Sequence, residues 1–238
     1  MGVGYSKYHL HRMFVETVGL SIHDYVQRRQ LTESAKLLVF SDKSILEISL
    51  IAGYESQQAL ACSFEMLGRS WSGFISYEDM YTTDFLASLE EVDAGRIGCM
   101  GFSMGAYRSW MLSALSDKIK AGAAVCWLTT TEYQLSPDCG RGKGDSNYAN
   151  VLPGLRRYLD YPHIASIACP KAMLFFNGRK DKLFPVPAVE DAYAQLHQIW
   201  KSQSADDKLI TRLWDLPHFC SKEMQEEILA FFNKQLAN

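Results

Sequence analysis

The hydrophobic periodicity of this chain changes once, and that change limits the fold more than any other feature. Up to about Tyr77, apolar residues recur at three- and four-residue intervals, and no segment alternates as a strand would. From Arg96 onward, short apolar runs bounded by turn signals alternate with helical segments. Residues 96–100, 121–128, 171–176 and 209–216 read as strands; 105–116, 189–202 and 223–236 read as helices. A strand-helix-strand order calls for a mostly parallel sheet covered by helices. The predicted fold class is α/β: a small all-helical domain over residues 1–76, then a partial parallel sheet with covering helices over 77–238. No Pro/Gly/Ser linker marks the boundary at residues 72–77.

Charge and cysteine usage narrow the function classes. A formal net charge of -3 excludes a surface built throughout to grip phosphate backbone, so any nucleic-acid contact must be local. Cys62, Cys99, Cys126, Cys139, Cys169 and Cys220 are scattered, several within apolar runs. That pattern predicts buried free thiols in a reducing compartment, with no metal spacing and no disulfide framework. No apolar run approaches the roughly 18 residues that span a bilayer, and the start lacks an apolar leader, so a cytoplasmic protein without a membrane partner is expected.

Within the helical part, residues 44–64 read as a helix-turn-helix. Asp42 or Ser44 can cap a helix carrying Ile45, Ile48 and Ile51; Gly53-Tyr54 breaks it; Ser56 caps a second helix carrying Ala59, Leu60 and Phe64. The run from Gly4-Tyr5-Ser6-Lys7 to Phe14, then Gly19-Leu20-Ser21, Arg29-Gln30-Leu31 to Leu38, and Gly53-Tyr54-Glu55-Ser56-Gln57-Gln58, resembles the AraC family of bacterial transcription regulators. The resemblance covers about the first 74 residues. It implies two helix-turn-helix units joined by a long helix, with recognition helices at 6–15 and 56–66. It also implies that Ser6, Lys7, His9, Arg12, Ser56, Gln57 and Gln58 face DNA. This chain departs from the family pattern: the two helices that normally precede the first unit are lacking, Cys62 stands where Arg is usual, and Glu65 where Lys is usual. Up to Tyr77, Lys7, Arg12, Arg28, Arg29, Lys36, Lys43 and Arg69 balance Glu16, Asp24, Glu33, Asp42, Glu47, Glu55 and Glu65. Phosphate contacts supply most nonspecific affinity, so a neutral module of this kind is expected to bind DNA weakly. His9, His11 and His23 read as surface residues, since no carboxylate or thiol lies at metal spacing.

In the second part, Gly101-Phe102-Ser103-Met104-Gly105 follows an apolar strand and opens a helix. That is the context a nucleophile elbow needs, with Ser103 lifted off the strand end. A serine nucleophile requires a base, and the base an orienting acid. Asp181 follows the strand at 171–176 and His218 the strand at 209–216, both at strand C-terminal ends, where an α/β sheet builds its site. The rival acids are Asp160, Glu190 and Asp215. Asp160 precedes its strand, Glu190 lies in a helical pattern, and Asp215 sits too close to His218.

The stretch from Val92 to Gly105, with Asn177-Gly178 to Pro185 and Pro217-His218, resembles dienelactone-hydrolase and acetyl-xylan-esterase-like α/β-hydrolases over residues 78–238. The resemblance implies a small ester or lactone substrate, no metal or organic cofactor, and the roles of Ser103 as nucleophile, His218 as base, Asp181 as orienting acid and the Met104 amide as oxyanion donor. About four strands that precede the nucleophile strand in that family are lacking, so this strand should become a sheet edge, open to homodimer formation. Three readings follow. The favoured one is an AraC-type DNA-binding regulator carrying a hydrolase-like domain with a Ser-Asp-His triad. The alternatives are a serine carboxylesterase whose helical segment is structural, and an inactive truncated fusion.

Overall fold

The computed structural model describes residues 6–41, 43, 45–54, 57–66, 68–134, 150 and 152–237. Two compact units result, Met1–Trp71 and Ser72–Asn238. The expected cut after residue 76 falls inside a helix.

Among the described residues the first unit holds four helices: α1 Lys7–Val18, α2 Ile22–Phe40, α3 Ile45–Ile51 and α4 Gln57–Met66. Local chemistry explains the ends of the first two. Ser6 and Ser21 N-cap α1 and α2, accepting hydrogen bonds from the amides of His9 and Asp24, and Gly19 closes α1 in the left-handed conformation. Gly53 turns the chain between α3 and α4 at φ 82°, where its carbonyl accepts a hydrogen bond from Gln30 of α2. The proposed caps Asp42, Ser44 and Ser56 lie outside the described residues. Ile48, Ala52, Leu60, Ala61 and Trp71 are buried, giving this unit a small core. By contrast, α1 buries no residue at all, and Tyr8, Met13, Val15 and Val18 remain exposed.

The second unit begins at Ser72, within α5, Trp71–Ala87. The helical reading of the sequence stopped ten residues short of its end. Tertiary contacts support this helix: Ser72 hydrogen-bonds the Tyr107 hydroxyl at 2.6 Å, Asp79 pairs with Arg108, and Asp84 lies 3.5 Å from Lys118. Then follow β1 Ile97–Phe102, α6 Met104–Leu115, β2 Ile119–Val125, a single turn α7 Thr131–Gln134, α8 Tyr161–Ala165, β3 Ala172–Gly178, α9 Val186–Ser202, β4 Leu209–Trp214 and α10 Lys222–Leu236. The four strands form one parallel sheet in the order β1-β2-β3-β4, which leaves β1 at an edge.

Strand side chains alternate between faces, and the two faces meet different helices. Ala124, Met173 and Phe175 pack with α6, α8 and α9, in a cluster that includes Tyr107, Trp110, Trp127, Tyr161 and Trp200. Ala123, Val125, Leu174 and Phe176 pack against Met224, Ile228 and Phe231 of α10. The aromatic rings of the first cluster interlock, with Tyr107 edge-on to Trp110 and Trp127 at 4.8 and 4.7 Å between centroids. Among the described residues, no helix is long and apolar enough to cross a membrane.

Candidate active site

The chain between β1 and α6 turns so sharply that two backbones nearly touch. A Cβ at Gly101 would lie 2.0 Å from the main chain of Gly105, so only glycine fits there. Gly105 itself faces open space, so of the two glycines in the motif only the first is required for close approach. Ser103, between them, takes φ 54° and ψ -120°, a backbone conformation a side chain rarely adopts. Its amide donates to Val125 O at 2.8 Å, and its carbonyl accepts from the Ala106 and Tyr107 amides at 2.8 and 3.2 Å. Those bonds hold the strained turn from both sides, as such a conformation requires.

Two further loops meet at this point. The end of β3 and the end of β4 approach so closely that a Cβ at Gly178 would sit 2.3 Å from Leu216 O. The Arg179 amide donates to Trp214 O at 2.7 Å, and the Lys180 amide to Leu216 O at 3.0 Å. The Asp181 loop is thereby tied to the His218 loop by main-chain bonds. Asp181 is buried; its Oδ1 accepts from the Leu183 amide at 2.9 Å, and its Oδ2 lies 2.7 Å from His218 Nδ1. His218 Nε2 lies 2.9 Å from Ser103 Oγ. The imidazole is flanked by Phe102, at 4.9 Å between ring centroids, and by Phe184, stacked at 6.1 Å. All three polar side chains thus sit at the C-terminal rim of the sheet.

The rival acids have other partners. Asp160 is buried and caps α8, accepting from the Thr131 and Tyr161 amides and from Arg156. Glu190 lies 3.6 Å from Arg179, and Asp215 2.8 Å from Lys180, both at exposed positions. Met104 opens α6, where the first amides of a helix have no intrahelical acceptor.

Sequence reading missed Cys126. Its thiol, with Asp181 and His218, forms a group whose ligand atoms lie within 4.8 Å of one another. Burial pushes this thiol up to about 11, so it stays protonated near neutral pH, and both Asp181 oxygens are already engaged. The signal available was position alone: Cys126 directly follows β2, at the same rim as the other loops. The expectation of buried thiols needs correction. Cys126 is buried, Cys99, Cys169 and Cys220 are half-buried, Cys62 is exposed, and Cys139 lies outside the described residues. An apolar neighbour in sequence is no guarantee of burial on a short helix such as α4, where one face stays wet.

On the first unit, Lys7 and Arg12 are exposed on α1, His9 is half-buried, and Ser6 is engaged as the N-cap. Gln57 and Gln58 open α4, and Ser56 lies outside the described residues.

The Abhydrolase family model matches residues 42–199, which is more than half of the sequence. This chain belongs to the abhydrolase family. A helix-turn-helix domain model matches residues 2–69, overlapping the start of that match. The putative hydrolase YtaP of Bacillus subtilis (strain 168) is 26% identical over 174 residues, covering 72% of this chain and 57% of that protein. The probable transcription factor PqrA of Proteus vulgaris is 44% identical over 62 residues, 26% of this chain and 51% of that protein. The multiple antibiotic resistance protein MarA of Escherichia coli (strain K12) shows the same identity over 62 residues and 49% of its length. The chain spans about half the length of these relatives.

Among solved structures, a carbohydrate esterase family 15 glucuronoyl esterase from Caldicellulosiruptor kristjansonii superposes with a TM-score of 0.57 at 13% identity, over 70% of this chain and 50% of that one. The methylesterase BT1017 gives 0.54 at 20% identity, over 70% and 36%. The chain therefore joins an AraC-type helix-turn-helix segment to a unit with an α/β-hydrolase-like fold.

Proposed function

We propose that the second unit hydrolyses a small carboxylic ester or lactone by nucleophilic catalysis at Ser103. The observation that carries this reading is the pair of contacts at His218, 2.9 Å to Ser103 Oγ and 2.7 Å to Asp181 Oδ2. With Nδ1–H donating to Asp181, Nε2 is left to accept the Ser103 hydroxyl. Oγ attacks the ester carbonyl carbon as its proton passes to Nε2, and the imidazolium then protonates the leaving alkoxide. Water next gives a proton to Nε2 and attacks the acyl carbon, and Ser103 departs with that proton, releasing the acid. Asp181 holds the ring in the orientation that presents Nε2 to Ser103.

The Met104 amide, first in α6, donates to the oxyanion in this reading. Removal of one oxyanion donor typically costs about 100- to 1000-fold in turnover. Exposed Phe102, Leu183 and Phe219 stand beside the three reacting residues in the chain and favour an uncharged ester. Labelling with a fluorophosphonate probe tests the reading. Labelling of the wild type that disappears in Ser103→Ala supports it; an unlabelled wild type, or labelling that survives the substitution, rejects it.

A second activity, DNA binding by the first unit, is supported by the helix-turn-helix domain match and by the 44% identity to the probable transcription factor PqrA over 62 residues. In this reading Ser6, Lys7, His9 and Arg12, with Ser56, Gln57 and Gln58, contact the duplex, and the chain acts as a cytoplasmic regulator with a hydrolase-like second unit. Salt-sensitive gel shifts that weaken in Arg12→Ala would support it. Absence of both labelling and gel shifts would leave the inactive fusion as the surviving description.

A further inference from the structure

The edge strand β1 is built to pair again. The Ser103 amide donates to Val125 O, and this fixes the parity of the strand: main-chain groups of residues 99, 101 and 103 face β2, while those of Gly98, Met100 and Phe102 face away from the sheet. Among the described residues, these outward amides and carbonyls have no hydrogen-bond partner. Edge strands normally discourage further pairing with charge or proline. The sequence of β1, IGCMGF, has neither. The opposite edge, β4, carries Arg212, which is paired with Glu227 and lies over Phe176 and Trp214. The two edges of one sheet are thus protected unequally.

We propose that β1 pairs antiparallel with β1 of a second copy of this chain, joining two four-stranded sheets into one. The strand is its own complement. A two-fold axis at Met100 sets Met100 opposite Met100 and Gly98 opposite Phe102, and each pair exchanges its outward amides and carbonyls. Gly98 has no room for a side chain of its own, because a Cβ there would lie 2.8 Å from the Phe232 ring of α10. Residues opposite one another share a face. The Phe102 ring of one copy therefore lies beside Phe232 of the other, covering a position where the strand itself has nothing. Met100 is 51% exposed and Phe102 38% exposed, and both leave water on pairing. A strand of unlike sequence would have to match this small-large alternation independently; a second copy matches it by symmetry. Pairing of six-residue edges buries on the order of 500 Å² per copy, below the roughly 800 Å² of a standard interface. The dimer is accordingly a weak one, with Kd roughly micromolar.

Size-exclusion chromatography with light scattering, run on the full chain from about 1 to 100 µM, tests the proposal. A monomer-dimer equilibrium is expected, and Met100→Lys, which sets like charges opposite one another, should weaken it by about 100-fold. Met100→Cys should cross-link as a dimer on mild oxidation, because Cα atoms of a hydrogen-bonded antiparallel pair lie about 5.5 Å apart, within disulfide range. Ile210→Cys, on the other edge, should stay at the background that exposed Cys62 sets in the wild type. Far-UV circular dichroism reports whether Met100→Lys folds; if it does not, the cross-link decides alone. A monomer at every concentration, a dimer indifferent to Met100→Lys, cross-linking at residue 210 equal to that at residue 100, or a strand of another protein bound in place of the second copy overturns the proposal.

Discussion

The two units differ in how much structure stands behind each candidate surface. In the second, the polar rim rests on four contiguous strands and an aromatic cluster of buried rings, and main-chain bonds tie its loops together. In the first, the leading helix α1 buries nothing, and the core is a handful of residues from α3, α4 and Trp71. Ser103, Asp181 and His218 follow β1, β3 and β4, three strands of the one parallel sheet. A surface made by a helix lying over a small core has no such support. Side chains that share one rim are held by the strands beneath them, whereas the apolar face of a helix is buried only where a partner meets it.

The comparison is most exposed to failure in paired truncations. Trp110→Ala removes a fully buried ring that packs against Tyr107, Trp127 and Tyr161, and should lower stability by about 3–5 kcal/mol in urea titrations. Val15→Ala on α1 should stay within about 0.5 kcal/mol, as exposed substitutions do. Equal losses at the two positions would mean that α1 has a partner in solution and would end the contrast. Gly101→Ala and Gly105→Ala sharpen it within the second unit. The first should cost about 3 kcal/mol, because its Cβ meets backbone; the second should cost well under that, since its Cβ finds open space.

A smaller effect should appear with pH. The Cys126 thiol is raised by burial to about 11 from an ordinary value near 9, so the folded state holds this proton more tightly than the unfolded chain. The associated stability is fully present below pH 9 and is lost as pH rises toward 11. Between pH 8 and pH 10.5 the unfolding free energy from urea titrations should fall by about 1–2 kcal/mol more in the wild type than in Cys126→Ala. An identical fall in both would place the alkaline sensitivity elsewhere, for example at Tyr107, which burial raises to about 12. The smallest effect concerns the first unit. If its neutral charge governs DNA affinity, Glu65→Lys should tighten binding only several-fold in low-salt gel shifts, and the gain should vanish as salt is raised.

Much of the second unit was legible because local signals agreed with the tertiary arrangement. Each predicted strand overlaps an observed one, and the motif around Ser103 sits on the strand-helix junction its glycines imply. Helix α5 was cut short because its later turns carry Glu78, Asp79, Thr82, Thr83 and Asp84, whose pattern marks no apolar stripe; contacts to Arg108 and Lys118 support those turns from α6 and beyond. The strand expected to run to Leu128 ends at Val125 because Cys126 adopts φ 59°, a conformation that no residue in that run announces.

What the sequence determined by itself was the change from helical to alternating texture, the order of the elements, and the chain order of serine, aspartate and histidine. Those are properties of spacing and residue type, read within windows of a few turns. The tertiary structure alone decided that the buried Cys126 thiol stands with Asp181 and His218, that the chain turns out of β2 at Cys126, and how closely His218 meets Ser103 and Asp181. Each of these depends on contacts between residues far apart in the chain, where Gly178 brings two strand ends together or Phe232 fills the space above Gly98. Side-chain period fixes which face a residue shows, and only packing fixes what that face meets.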